Sequence, residues 1–170
     1  MSHAHDCACC GEHHDGPPMA YAPTDPPGWK RSYRFRRDSF LSEEQCVIKG
    51  EHFYVRGVVR LPVTDADEDF DWGVWVSLSR DSFDRMHDRW EDPARTEEPP
   101  YFGWLCTELP YDESTLLLKT HVHTQAVGTR PLIELEPTDH PLAVEQREGI
   151  TTARVREFAE ILMGPQVADR

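Results

Sequence analysis

The stretch FDWGVWVSL at residues 70–78 places a large apolar side chain at every second position. Its apolar face consists of Phe70, Trp72, Val74, Val76 and Leu78. Such alternation predicts a strand with one buried side. A second apolar run at residues 52–63 is separated from it only by the acidic segment 64–69. Because a parallel crossover needs about a dozen residues or more, the two strands are expected to run antiparallel.

Four other short apolar runs predict further strands of this sheet. They cover residues 46–50, 102–109, 116–124 and 131–136. The first of them predicts a hairpin with 52–63 across Gly50 and Glu51. In the run 116–124, the alternation assigns Leu116, Leu118 and Val122 to the core face.

One helix is expected inside the chain and two near its C-terminus. Ser79 is a suitable cap for the internal helix, which Pro93 ends. Its buried stripe is Phe83, Met86, His87 and Trp90. The second helix covers 140–148, with Asp139 or His140 as its cap. The third opens at Thr151, and its inward face is Val155, Phe158, Ala159 and Leu162. The expected fold is α+β, with a mostly antiparallel sheet.

The length of 170 residues predicts one domain, and the composition distinguishes an N-terminal segment from it. Residues 1–16 are rich in cysteine and histidine, and 17–28 form a proline-rich strap. The α+β domain covers 29–164, and a short tail follows at 165–170. Within the domain, 29–44 is the only basic stretch, and it is expected to hold a short helix. The tryptophans at 72, 75, 90 and 104 are expected in the core.

The net charge of −13 disfavours binding to nucleic acid, because both carry the same sign. No apolar run approaches the roughly 20 residues of a membrane span, and no secretory signal pattern opens the chain. We therefore expect a cytoplasmic protein whose partner is another protein.

Cys7 and Cys10 form a C-x-x-C pair, followed by Gly11 and by His14. Two thiolates and an imidazole at this spacing favour tetrahedral zinc. Cys9 and His13 are substitutes for these ligands. The alternatives are a tail that binds metal opportunistically and a thioredoxin-type redox motif. The redox motif is disfavoured, because it should open a helix after a strand.

A structural zinc site needs four protein ligands, so the body of the protein must supply one if the N-terminal turn supplies three. Cys46 is the first candidate, because it opens a strand shortly after the basic segment. His52 and His140 are weaker candidates. The sequence therefore predicts an N-terminal zinc knuckle with Cys7, Cys10, His14 and Cys46 as ligands.

A second hypothesis is a metal-dependent hydrolase that uses His121, His123, His140 and Glu145. His121 and His123 share one face of a predicted strand, while His140 and Glu145 lie at a helix start. Both pairs equally suit an ordinary solvent-facing strand and a capped surface helix. Under that simpler interpretation, replacing His121 or Glu145 by alanine leaves stability nearly unchanged.

Several runs together resemble the bacterial domain-of-unknown-function family 2199. They include CVIKGEHFYVRG, FDWGVWVSLS, GWLCTELP and TLLLKTHVHTQ, and the likeness covers roughly residues 7–162. The resemblance implies a small bacterial cytosolic protein with a zinc-binding N-terminal element, and it implies no activity.

By this resemblance, the cysteine pair of the family falls on Cys7 and Cys10, and its histidine on His14. Cys46 matches a strand cysteine of the family. The family often has an aromatic residue two positions before the first cysteine, where this chain has His5.

Overall fold

The computed structural model describes residues 4–6 and 13–164, with side chains from residue 16 onward. Ten strands and three α-helices form within these residues. The strands are β1 Ala4–Asp6, β2 His13–Asp15, β3 Ala20–Tyr21, β4 Phe40–Leu41, β5 Gln45–Ile48, β6 His52–Leu61, β7 Phe70–Leu78, β8 Tyr101–Leu105, β9 Lys119–His123 and β10 Leu132–Leu135. The α-helices are α1 Arg80–Asp88, α2 Pro141–Glu148 and α3 Thr152–Met163. Two 3-10 helices cover Arg31–Phe35 and Pro93–Glu97. The α+β class is confirmed.

Five of the strands close into a ring in the order β6, β7, β8, β9 and β10. The antiparallel β6–β7 ladder extends from the pair Phe53 and Leu78 to the pair Leu61 and Phe70. β10 returns to β6 in parallel, where Leu132 pairs with Val58. The sequence did not predict this closure. The two strands that close the ring, β6 and β10, are far apart in the chain and are joined by a single register pair.

Glycines permit two of the close strand contacts in the ring. A Cβ atom on Gly57 would lie 2.5 Å from Cδ1 of Ile133 in β10. A Cβ atom on Gly103 in β8 would lie 2.4 Å from Cγ1 of Val76 in β7. Any larger residue at these positions would push the neighbouring strand away, so both positions require the absence of a side chain.

The main core fills the ring and continues under the C-terminal helices. Phe158 of α3 packs against Trp72 and Phe70 of β7, with ring centroids 4.8 Å and 5.2 Å apart. Ile150 and Val155 at the start of α3 are also buried, as a hydrophobic staple requires. Leu162 is exposed, so the prediction of its inward position was wrong. It lies in the last turn of α3, beyond the buried Phe158.

A second, smaller core lies beneath the proline-rich strap. It consists of Cys46, Ile48, Tyr54 and Trp75. The strap itself contains β3, which pairs in parallel with the start of β7. Trp75 Nε1 donates a hydrogen bond of 2.7 Å to the carbonyl of Thr24, which attaches the strap to the sheet.

Helix α1 is shorter than the sequence predicted. Ser79 caps it and accepts a hydrogen bond from the Ser82 N–H, as expected. The helix ends at Asp88, and His87 is exposed rather than buried. Pro93 does not stop this helix but begins a separate 3-10 helix, because Asp92 accepts a hydrogen bond from the Ala94 N–H and caps it.

The N-terminal strands β1 and β2 pair antiparallel, with His5 opposite His14. Cys7, Cys9 and Cys10 lie outside the described residues, as do the side chains of His13 and His14. The zinc knuckle therefore stays a prediction.

Candidate interaction surface

The outer face of β8, β9 and β10 is the exposed side of the ring. Register places Phe102 of β8 beside His121 of β9, and His121 beside Glu134 of β10. Trp104 of β8 lies beside Lys119 of β9. The residues that alternate with these point inward and are buried: Tyr101, Leu105, Thr120, Val122 and Ile133. The period of two predicted for β9 is thus confirmed within the strand.

Two aromatic side chains on this face are exposed to solvent. Phe102 and Trp104 are both exposed, with ring centroids 5.2 Å apart in an edge-to-face arrangement. The rings of His121 and Phe102 are also arranged edge to face, with centroids 6.3 Å apart. Trp104 was expected in the core, and that prediction was wrong, because its position in β8 points away from the ring.

Leu117 occupies an unusual backbone position two residues before the start of β9. Its φ is +63°, a conformation in which glycine or asparagine is the usual residue. The Leu118 N–H reaches the Thr115 carbonyl at 3.5 Å, which makes Leu117 the third residue of a turn. Leu117 and Leu118 both bond to Leu105 across the strands, so the turn merges into a bulge.

The left-handed conformation costs a leucine roughly 1–2 kcal/mol. Burial would offset that cost, but 67% of Leu117 is exposed. Leu116 beside it is 47% exposed, so its predicted core position was wrong. The bulge interrupts the alternation, and three successive leucines cannot all face one side of a strand. The run of three leucines at 116–118 was therefore a signal in the sequence that at least one of them is exposed.

We group the exposed apolar side chains of β8 and of the segment before β9 under one name, the β8–β9 apolar surface: Phe102, Trp104, Leu116 and Leu117. Leu117 donates its N–H to the carbonyl of Leu105, the residue after Trp104, at 2.7 Å. The backbone of Leu117 therefore lies beside the end of β8 that carries Trp104. Adjacent exposed apolar side chains of this size are typical of binding surfaces.

Acidic residues flank the β8–β9 apolar surface along the chain and across the sheet. The loop between β8 and the leucines exposes Glu108, Asp112 and Glu113. On the other side, His121 Nε2 lies 3.3 Å from Glu136 Oε1, and His123 Nε2 lies 3.4 Å from Glu134 Oε2. The border is thus mainly negative, with Lys119 as a base within it.

His140 is a structural side chain at the start of α2. It is buried, and its Nδ1 accepts the N–H of Leu142 at 3.1 Å, which makes it the cap of the helix. Its Nε2 lies 3.1 Å from the carbonyl oxygen of Ser114. Both ring nitrogens therefore have partners within the protein.

Glu145 belongs to a closed polar group with Tyr111 and Arg154, which we call the Glu145 cluster. The Tyr111 hydroxyl donates to Glu145 Oε2 at 2.5 Å, and Arg154 Nε donates to Oε1 at 2.7 Å. Burial, together with the neighbouring carboxylate of Glu145, raises the pKa of Tyr111. The cluster joins the loop after β8 to α2 and α3.

The two halves of the hydrolase hypothesis therefore lie in different surroundings. His121 and His123 contact carboxylates on the outer face of the sheet, whereas His140 and Glu145 serve the α2 region. Among residues 16–164, no residue that contacts His121 or His123 also contacts His140 or Glu145.

Cys46 is fully buried in the small core beneath the strap. Burial, with a smaller effect of the Asp25 charge, raises the pKa of its thiol to about 12. His52, the weaker ligand candidate, is exposed on β6. Among the side chains of residues 16–164, no group of three or more histidines, cysteines and acids could hold a metal ion. A zinc site that includes Cys46 would need ligands from the N-terminal segment.

Comparison with known proteins places the chain in a family. The family described as "Uncharacterized protein conserved in bacteria (DUF2199)" matches residues 6–150. The chain belongs to this family. The match confirms the family that the sequence resembles and its bacterial character, whereas the zinc-binding element stays a prediction. No curated protein and no solved structure matches the chain. Within the described part of this DUF2199 member, no helix is both long and apolar enough to cross a membrane.

Proposed function

We propose that this protein is a non-enzymatic interaction module of the bacterial cytoplasm. It binds another polypeptide through the β8–β9 apolar surface. The observation that carries the proposal is Leu117, a leucine that adopts a glycine-like conformation and remains 67% exposed. Little of its side chain is buried within the chain to offset the cost of that conformation. We therefore expect the side chain to become buried in a complex.

The state of the candidate catalytic residues supports a binding role over hydrolysis. A general base needs a free position from which it can reach a substrate. His140 uses one ring nitrogen to cap α2, and both oxygens of Glu145 have partners. Each group is occupied with holding the fold together.

Capture from a bacterial lysate tests the binding role. Wild type, Trp104→Ser and Leu117→Gly are immobilised in equal amounts, with Val127→Ser as the matched control. Val127 is also exposed, but it follows the opposite end of β9. We expect the control to retain the proteins that wild type captures and the two surface variants to lose them. Equal capture by all four would contradict the proposal.

We also propose that Cys7, Cys10, His14 and Cys46 bind one structural zinc ion. The proposal rests on ligand type and spacing, since soft sulfur with imidazole favours zinc. Zinc binding would have to remove the proton from the Cys46 thiol, so affinity should rise with pH.

Native mass spectrometry measures the zinc content of wild type, Cys10→Ser and Cys46→Ala. The proposal predicts one zinc ion per chain in wild type. It predicts loss of the ion in Cys10→Ser, and loss or much weaker retention in Cys46→Ala. Zinc that stays bound in Cys46→Ala with unchanged affinity would remove Cys46 from the ligand set. Wild type without zinc would contradict the site altogether.

A further inference from the structure

We propose that the polypeptide bound at the β8–β9 apolar surface is the basic segment, residues 30–37, of a second copy of this chain. This inference rests on the proposed function, because it names the occupant of the same surface.

The basic segment carries the most exposed large hydrophobic side chain of the described residues. Phe35 ends the 3-10 helix Arg31–Phe35, and 78% of it is exposed. The Arg34 guanidinium lies over its ring, 4.6 Å from the centroid. An exposed aromatic ring with an arginine stacked on it is a typical anchor at protein interfaces.

The charges around Phe35 are largely unneutralised. Arg36 forms an ion pair with Asp38 at 2.8 Å. Among the described residues, the other bases of the segment pair with no carboxylate: Lys30, Arg31, Arg34 and Arg37. In a chain of net charge −13, carboxylates are abundant, so four bases without one form a distinct positive patch.

The β8–β9 apolar surface has the complementary character. The loop that joins its aromatic pair to its leucines exposes the acidic residues Glu108, Asp112 and Glu113. Glu108 accepts the Ser114 hydroxyl, and among the described residues none of the three carboxylates pairs with a base. An aromatic anchor inside a positive patch therefore matches an apolar surface inside a negative border.

The match is made between copies rather than within one. Phe35 and Leu117 are both mostly exposed in the single chain, so neither covers the other. Each copy carries both surfaces, and a reciprocal exchange produces two equivalent contacts. Such an exchange closes a two-fold dimer.

Sedimentation velocity of the full-length chain over a concentration series tests the inference. We expect wild type and Val127→Ser to form a dimer that weakens as salt is added, because charge attraction is screened. Phe35→Ser and Leu117→Gly should each weaken dimerisation about tenfold or more. Circular dichroism establishes that each variant is folded before the comparison.

A mixture of the two variants gives the sharpest result. Phe35→Ser keeps an intact apolar surface, and Leu117→Gly keeps an intact basic segment. Their heterodimer has one complete contact, so the mixture should associate more strongly than either variant alone. A mixture that associates no better than the separate variants would overturn the reciprocal exchange.

Two further outcomes would also overturn the inference. One is a wild-type chain that stays monomeric throughout the series, and the other is a dimer that both variants leave unchanged. The lysate capture separates this failure from that of the proposed function. A monomeric chain that still captures a protein through Leu117 keeps the binding role and loses the second copy as its occupant. A monomeric chain without Leu117-dependent capture loses both.

Discussion

The β8–β9 apolar surface and the Glu145 cluster differ in where their side chains find partners. In the cluster, Glu145 receives a phenol and a guanidinium from its own chain, and its side chain is 18% exposed. On the apolar surface, Leu117 is exposed although its backbone conformation is costly. The comparison teaches that titratable residues do not by themselves mark a functional site. The binding role proposed here rests instead on an apolar side chain, Leu117, that the fold exposes at a cost.

Glu145→Ala should give the largest effect on stability, a loss of about 2 kcal/mol, because it leaves the partly buried phenol of Tyr111 and the partly buried guanidinium of Arg154 without their acceptor. This replaces the sequence-based expectation of no effect. Urea denaturation measures it, with Glu157→Ala as the control. Glu157 binds the same Arg154 but is 58% exposed, so its loss should cost less than about 0.5 kcal/mol. Equal midpoints for Glu145→Ala and wild type would show that the cluster contributes little to the fold.

Tyr111 should make the protein less stable in alkali. The unfolded chain releases the phenol proton near pH 10, whereas the folded chain retains it because the pKa of Tyr111 is raised. Unfolding then releases a proton, so stability falls as pH rises above about 10, by about 1.4 kcal/mol per pH unit from this residue. The measurement is the pH slope of the unfolding free energy in wild type and in Tyr111→Phe. The pKa of Cys46 is also raised, so its thiol contributes to the slope of both proteins equally. Equal slopes in wild type and Tyr111→Phe would therefore rule out a contribution from Tyr111.

His121→Ala should give the smallest effect, a change within about 0.5 kcal/mol. The ion pair of His121 with Glu136 is solvent-exposed, and such pairs contribute little. Thermal unfolding of the variant measures the change. A loss of more than about 1 kcal/mol would mean that the outer face of the sheet is part of the folding core, and it would weaken the comparison.

Local pattern predicted the individual elements of the fold well. β7 has the predicted bounds, Ser79 caps α1, and His140 caps α2, because alternation and capping depend on neighbouring residues. The closure of the ring depends on Gly57, where β10 passes over β6. A glycine in a strand permits close approach but does not say which strand approaches.

The candidate site was much less predictable than the fold. Histidine and acid spacing drew attention to His121 and Glu145, but spacing does not show which groups have partners. The three successive leucines indicate that at least one of them is exposed, but nothing in the sequence gives Leu117 its φ of +63°. Trp104 looks like a core residue until its position in β8 is known, since tryptophan is usually largely buried.

The unfolding free energy of Leu117→Gly tests the central claim most directly. It is measured by urea denaturation at a protein concentration low enough to keep the chain monomeric, so that association does not contribute. Relief of the left-handed conformation, partly offset by the greater freedom of unfolded glycine, predicts a stability equal to wild type or up to about 1 kcal/mol higher. A loss of about 1 kcal/mol or more would show that Leu117 serves the fold, and it would contradict its role as a binding residue.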